Sequence, residues 1–253
     1  MLAQHRLLAA FVLTVAMGFV VISVVQDRDF GETLPLVMVL LIALIAAQYA
    51  ILFGGRSRQL NAAQRAFLDG RFDEVIRLTE AEPPTAKSLT LMGNAYRMNG
   101  DTVRSTQILR DAVQLAPSDP FPLYGLGRVL MAHGDYEEAA RFMTLALDNG
   151  ARKATRADLA LALYLAQDEA AQNVARQAGR ILRLEDYRAL MLNYVLYKLE
   201  QQPDVALQVI KNTSDGLAFW HAEAERHQNS GYGQDLQAVI SEIERLLVEE
   251  VSP

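Results

Sequence analysis

Apolar and polar positions follow two regimes along the 253-residue chain. Leu7 to Val25 runs nineteen residues without a charge, and Leu34 to Phe53 runs a further twenty. At the helical rise of about 1.5 Å per residue, either segment covers a hydrocarbon core of about 30 Å. Each contains twelve Leu, Ile, Val or Phe, which at roughly -0.3 to -0.6 kcal/mol apiece contributes about -4 to -7 kcal/mol to insertion. The pattern predicts two transmembrane helices, with Pro35 in the first turn of the second, where its missing donor costs little, and Gly18 allowing close approach in the first. From Arg56 onward, charged and apolar residues interleave at helical spacing and strand-like runs of Val, Ile and Thr are missing, which predicts a wholly helical remainder.

The second regime repeats. The stretch from Ala86 to Asp119 aligns without gaps on the stretch beginning at Pro120, at an offset of 34 residues. Gly93 falls on Gly127, Gly100 on Gly134, Asp101 on Asp135, Leu89 on Leu123, Ala112 on Ala146 and Val113 on Leu147. Such a period marks stacked helical hairpins, none of which buries its apolar face alone. Small residues at Gly93 and Gly127 let paired helices approach closely, Gly100 and Gly134 end the first helix of each hairpin in a left-handed turn, and Asp101 and Asp135 are placed to cap the second. A shorter copy precedes them, with a helix over Leu60 to Leu68, a turn at Asp69 to Phe72, and Pro83-Pro84 closing it. After Gly150 the likeness fades. Helical periodicity continues over Ala154 to Ala166, Asp168 to Leu182, Glu185 to Glu200, Pro203 to Asn212, Gly216 to Gln228 and Gln234 to Val251, which predicts degenerate hairpins and a polar-faced terminal cap.

Gly93, Tyr96, Gly100, Ala112 and Pro117, and again Gly127, Gly134, Tyr136, Ala139 and Ala146, match the pattern of the tetratricopeptide repeat (TPR) family, which this chain resembles over about one third of its length. Ser105 and Ala151 depart from it, standing where the family has Ala and Pro. The resulting expectation is an all-α chain: a transmembrane hairpin anchor over residues 1–55, repeats over 56–151, and degenerate repeat-like helices with a cap over 152–253. The resemblance implies a groove lined by the first helix of each hairpin and a protein partner, peptide or helix held in it. The register assigns that groove Lys87, Asn94, Arg97, Phe121, Tyr124, Arg128 and Met131, with Asn94, Arg97 and Arg128 expected to be exposed. Thr90 stands where the carboxylate-clamping members of the family have Lys, which speaks against a clamp of that kind.

Charge adds orientation. The stretch Gln26 to Thr33 carries one Arg against Asp27, Asp29 and Glu32, whereas Arg6 precedes the first apolar segment and Arg56, Arg58 and Arg65 follow the second. The positive-inside rule then predicts an inner-membrane protein of bacterial type with both termini in the cytoplasm and lipid around two spans. Net charge is -6, the acidic excess lies after Pro117, and no concentrated basic face suited to nucleic acid stands out. The absence of Cys excludes disulfides and thiolate chemistry.

Candidate chemistry is sparse. His221, Glu223, Glu225 and His227 form two pairs four residues apart, a spacing able to hold a metal, but the pairs point to different faces of one helix. Gly231-Tyr232-Gly233 has the start of a dinucleotide fingerprint without the preceding strand or third glycine, which predicts an interhelical turn. No catalytic residue, metal or cofactor is expected. The functional expectation is a membrane-anchored interaction scaffold or assembly factor. The alternatives are a permanent accessory subunit of a membrane complex, or a factor similar to the cytochrome-maturation proteins, whose tetratricopeptide domain faces the periplasm.

Overall fold

The computed structural model describes residues 30–248 and Thr14, with side chains inside the first helix described at 37–47 and from 58 onward. The described helices are α1 (Phe30–Leu68), α2 (Phe72–Glu80), α3 (Ala86–Met98), α4 (Thr102–Leu115), α5 (Pro120–His133), α6 (Tyr136–Asp148), α7 (Thr155–Leu165), α8 (Ala170–Ala178), α9 (Asp186–Lys198), α10 (Pro203–Asn212), α11 (Leu217–Arg226) and α12 (Gly231–Val248), with a 3-10 turn at Ser214–Gly216. No strand occurs among the described residues. The chain divides into two compact units, Met1–Arg65 and Ala66–Pro253, so the later helices belong to the same unit as the repeats.

Among the described residues, no helix is long and apolar enough to cross a membrane. Leu7 to Val25 apart from Thr14, with Gly18 and the preceding Arg6, lies outside the described residues. Leu34 to Phe53 is helical, within α1. Two local expectations change there. α1 begins at Phe30, so Pro35 sits beyond its first turn, and Leu60 to Leu68 is the end of α1 rather than a separate helix.

In the second unit, each hairpin turn is built from the same pair of hydrogen bonds. At the end of α3 the Gly100 amide donates to the Arg97 carbonyl and the Asp101 amide to the Tyr96 carbonyl; at the end of α5, Gly134 donates to Met131 and Asp135 to Leu130. Gly100 and Gly134 have φ of +83° and +86°, the left-handed conformation that this closure requires. The same bonds recur at Gln167 (φ 57°), donating to Tyr164, and at Glu200 (φ 53°), donating to Tyr197. With Gly70 (φ +74°) the turns therefore fall at positions 70, 100, 134, 167 and 200, and a period of 30 to 34 residues runs well past Gly150, where the sequence likeness stops.

Packing repeats with the turns. A Cβ placed on Gly93 would lie 2.6 Å from Cγ of Leu109, and one on Gly127 would lie 2.8 Å from Cγ of Met143. Leu109 and Met143 are themselves 34 positions apart, so the two hairpins close on equivalent contacts. Ser105 replaces the usual small apolar residue at full burial because its hydroxyl donates to the Gly93 carbonyl at 2.8 Å. Helix starts are capped variously: Thr85 and Ser88 form a reciprocal capping box, Asp101 accepts from the Arg104 amide, and Asp119 accepts from the Phe121 amide. Asp135 does not cap α6 with its side chain, contrary to expectation; Glu137 and Glu138 supply the negative charge that favours this first turn.

The hairpins are α3–α4, α5–α6, α7–α8 and α9–α10, preceded by the end of α1 with α2. Of their first helices, α5 and α7 are largely apolar and buried nearly all round, whereas α9 is buried along one side, from Arg188 to Val195. Second helices cover one side. The other is covered by α11, which packs on α9, and by α12, which packs on α5 and α10. Trp220 fixes α11 by donating Nε1–H to the Tyr187 carbonyl at 2.7 Å, with Phe219 stacked on Tyr187 at 4.1 Å. Gly231 to Gly233 opens α12 rather than forming a turn between helices, with Tyr232 fully buried. α8 also departs from expectation, stopping at Ala178 instead of continuing to Leu182.

Candidate functional site

The residues assigned to the groove separate into a buried set and an exposed set. Arg97, Arg128 and Met131 are buried, at 8%, 9% and 2% exposure, which corrects the expectation that the two arginines face solvent. Asn94 and Tyr124 are half-buried, while Lys87 is exposed and Phe121 is 73% exposed. The cause is α11. Glu223, at 2% exposure, projects from it onto the first-helix face and accepts from Arg97 Nη1 at 3.1 Å and Arg128 Nη2 at 3.5 Å, across 126 and 95 residues of sequence. Arg226, on the same helix, also donates to Glu223.

A second carboxylate extends the array. Asp158 of α7 accepts from Tyr124 Oη at 2.8 Å and from Arg188 Nε at 3.0 Å, and lies 3.8 Å from Arg128. Arg188 of α9 also donates to Tyr124 Oη at 2.9 Å and forms an ion pair with Glu185 at 2.9 Å. Helices α3, α5, α7, α9 and α11 thus contribute one charged residue or more each to a continuous buried network. Buried charges are tolerated only when paired and hydrogen-bonded, so this network fixes how the last helices close over the repeats.

Protonation follows from the geometry. Burial pushes the Glu223 carboxyl up, but Arg97, Arg128, Arg226 and His227 together outweigh it and hold the group below the ordinary carboxylate range. Burial pulls His227 down, more than neighbouring Glu223 raises it, which favours neutral imidazole. Burial, and then Arg128, lower Arg97, the cost of holding two guanidinium groups on one carboxylate. Arg97 Nε and His227 Nε2 are buried without a hydrogen-bond partner.

The four residues weighed as metal ligands do fall on different faces. His221 is exposed and pairs with Glu244 at 3.0 Å, Glu225 is exposed, and Glu223 and His227 are buried in the arginine network. Among the described residues no three His, Asp or Glu converge as a metal-binding set. Sequence reading missed the role of Glu223 and Asp158. The available signal was Arg97 and Arg128 on helix faces that are otherwise apolar, a placement that demands a buried anion, but nothing local says which of thirty acidic residues supplies it.

No family model matches the chain, and no curated protein matches it. Among solved structures it is similar to MamA MSR-1 C2, at 18% identity and a TM-score of 0.50, over 64% of this chain and 93% of that one. A crystal structure of MamA is similar at 16% identity and a TM-score of 0.48, over 61% and 93%. YrrB, described as a TPR protein with an unusual peptide-binding site, is similar at 15% identity and a TM-score of 0.45, over 72% and 98%. The likeness is one of fold: the described residues form helices without strands, in a tetratricopeptide-like stack.

Proposed function

We propose that the chain is a membrane-anchored interaction scaffold or assembly factor, placed at a bacterial inner membrane with its helical unit in the cytoplasm, which binds a partner along the exposed rim of the first helices. One observation carries the binding reading. α5 is buried from Pro122 to Ala132 except for half-buried Tyr124, yet it begins with a Phe121 that is 73% exposed. That aromatic is 34 positions from exposed Lys87 at the matching point of α3, and Leu115, ending α4, is 58% exposed. A rigid aromatic left in water on a well-packed helix is the kind of side chain on which binding energy concentrates.

The anchor reading is supported by the two uncharged segments and by α1, on which Val39, Ile42 and Ile45 are each more than 60% exposed. An apolar face of that kind calls for lipid or for the helices of a membrane partner. The latter favours the accessory-subunit reading, which co-purification at fixed stoichiometry after mild detergent extraction separates from a transient scaffold. Tethering by the anchor raises the partner's effective concentration without further contacts.

A photoreactive residue at Phe121 is expected to crosslink a discrete protein in cells, while one at exposed Asp111 on α4 does not. No discrete adduct from Phe121 would defeat the binding reading. A phosphatase fused after Pro253 is expected to be inactive, and activity would transfer preference to the periplasmic alternative.

A further inference from the structure

Among the described residues many cations are paired, and five that are not gather in one place, although Arg58, Arg65, Arg77 and Lys87 also stand outside any ion pair. The exposed arginines Arg71, Arg104, Arg110, Arg141 and Arg152 each have a carboxylate within 2.7 to 3.5 Å. Lys153, Arg156, Arg176, Arg180 and Arg183 have none, and all five border two adjoining clefts of about 530 and 880 Å³ that share Arg176 and Arg180. No Asp or Glu lines either cleft, although the chain as a whole carries thirty acidic residues against twenty-four basic ones.

The clefts arise from the shortened second helix of the α7–α8 hairpin. α8 has nine residues where α4 has fourteen and α6 thirteen. After Gly179 the chain runs irregularly to Glu185, with Arg183 at φ 63°. The missing turns leave a gap between α8 and α10 over the outer side of α9. Its floor is apolar, formed by Leu192 and Leu196 of α9 and Val205 and Val209 of α10. Leu182, 90% exposed, stands at the rim of the larger cleft.

We propose that this cleft docks an acidic amphipathic segment of a partner protein, apolar side chains on the α9–α10 floor and carboxylates on the arginine rim. The occupant follows from the two surfaces together. An apolar floor flanked by cations complements a peptide that is apolar on one edge and anionic on the other. Guanidinium groups bind carboxylates bidentately, which selects carboxylate over other polar groups. Like charges gathered without counter-charge repel one another, and an acidic ligand relieves that repulsion on binding. The site lies on the second-helix side, separate from Phe121, so it stands or falls independently of the reading proposed for that rim.

The test uses the full chain in mild detergent and a fluorescein-labelled helical peptide of about twenty residues with Leu along one face and Glu along the other, compared with an analogue carrying Gln for every Glu. Anisotropy is expected to show saturable binding of the Glu peptide, at least tenfold weaker binding of the Gln analogue, and at least tenfold weakening by Arg176→Glu with Arg180→Glu. Lys87→Glu, at the first-helix rim, is expected to leave binding unchanged. Both reversals are at exposed positions, and unaltered Trp220 fluorescence confirms that the variants are folded. Absence of binding, equal binding of the two peptides, or indifference to the reversal each overturns the proposal; so does a Lys87→Glu effect as large as that of the pair.

Discussion

Replacing Glu223 with Gln keeps the shape of the side chain and removes the charge that holds two buried arginines. Two effects compete. The variant escapes the desolvation cost of one carboxylate, but it leaves Arg97, at 8% exposure, without a counter-charge and Arg128, at 9%, with only Asp158 at 3.8 Å. Breaking a buried ion pair on one side costs about 3–5 kcal/mol, because the remaining charge stays desolvated. For a unit of this size, that is about 6–20 °C in Tm, at about 2–4 °C per kcal/mol. Glu138 supplies the control: it too receives two arginines, Arg110 at 3.3 Å and Arg141 at 3.2 Å, but all three side chains are substantially exposed. Its replacement by Gln costs about 0–1 kcal/mol, since solvent screens those pairs. Denaturant unfolding measures both. The single Trp of the chain, Trp220, lies on the same helix as Glu223, so its fluorescence reports whether α11 stays docked. Costs within about 1 kcal/mol of each other for the two variants would refute the claim that burial, rather than distance, sets the strength of these pairs. Combining Glu223→Gln with Arg97→Met is expected to cost less than the sum of the single changes, because the orphaned cation leaves with its partner.

The repeat geometry makes further predictions. Gly127→Ala sets a methyl 2.8 Å from the Met143 side chain and 3.2 Å from the Ala139 carbonyl, so overpacking of about 1–3 kcal/mol outweighs the gain of about 1 kcal/mol in helix propensity, giving net destabilisation in urea titration. Gly134→Ala meets nothing within 4 Å but is forced to φ +86°, costing about 1–2 kcal/mol through the backbone alone. Gln167→Gly should stabilise by up to about 1 kcal/mol, because the left-handed strain at φ 57° disappears while part of the gain goes to the freer unfolded chain; a lower urea midpoint for this variant would contradict the assignment of position 167 to the repeat turn. The His227 imidazole is held below its ordinary value by burial, so the unfolded chain takes up the proton first. Stability is therefore full above about pH 6.5 and falls as pH drops through the folded value, and Glu223, depressed by its arginines, extends the loss below about pH 4.3. His227→Gln should flatten the slope just below pH 6.5 and leave the more acidic limb in place.

The sequence alone determined the all-helical class, the 34-residue spacing and the hairpin turns at Gly100 and Gly134. Each is a local consequence of residue type: apolar periodicity, a small residue at a close crossing, a glycine where φ must be positive. The same turns at Gln167 and Glu200 were hidden, because there the tertiary packing imposes the left-handed conformation on residues that do not advertise it. The burial of Arg97 and Arg128 was likewise decided only in three dimensions. Local pattern placed them correctly on the first-helix face, but whether that face meets water or Glu223 depends on a helix 126 residues away in the chain. Pairing across such a distance is chosen by the closure of the stack, where charge must find charge once water is excluded, and no short-range spacing encodes it.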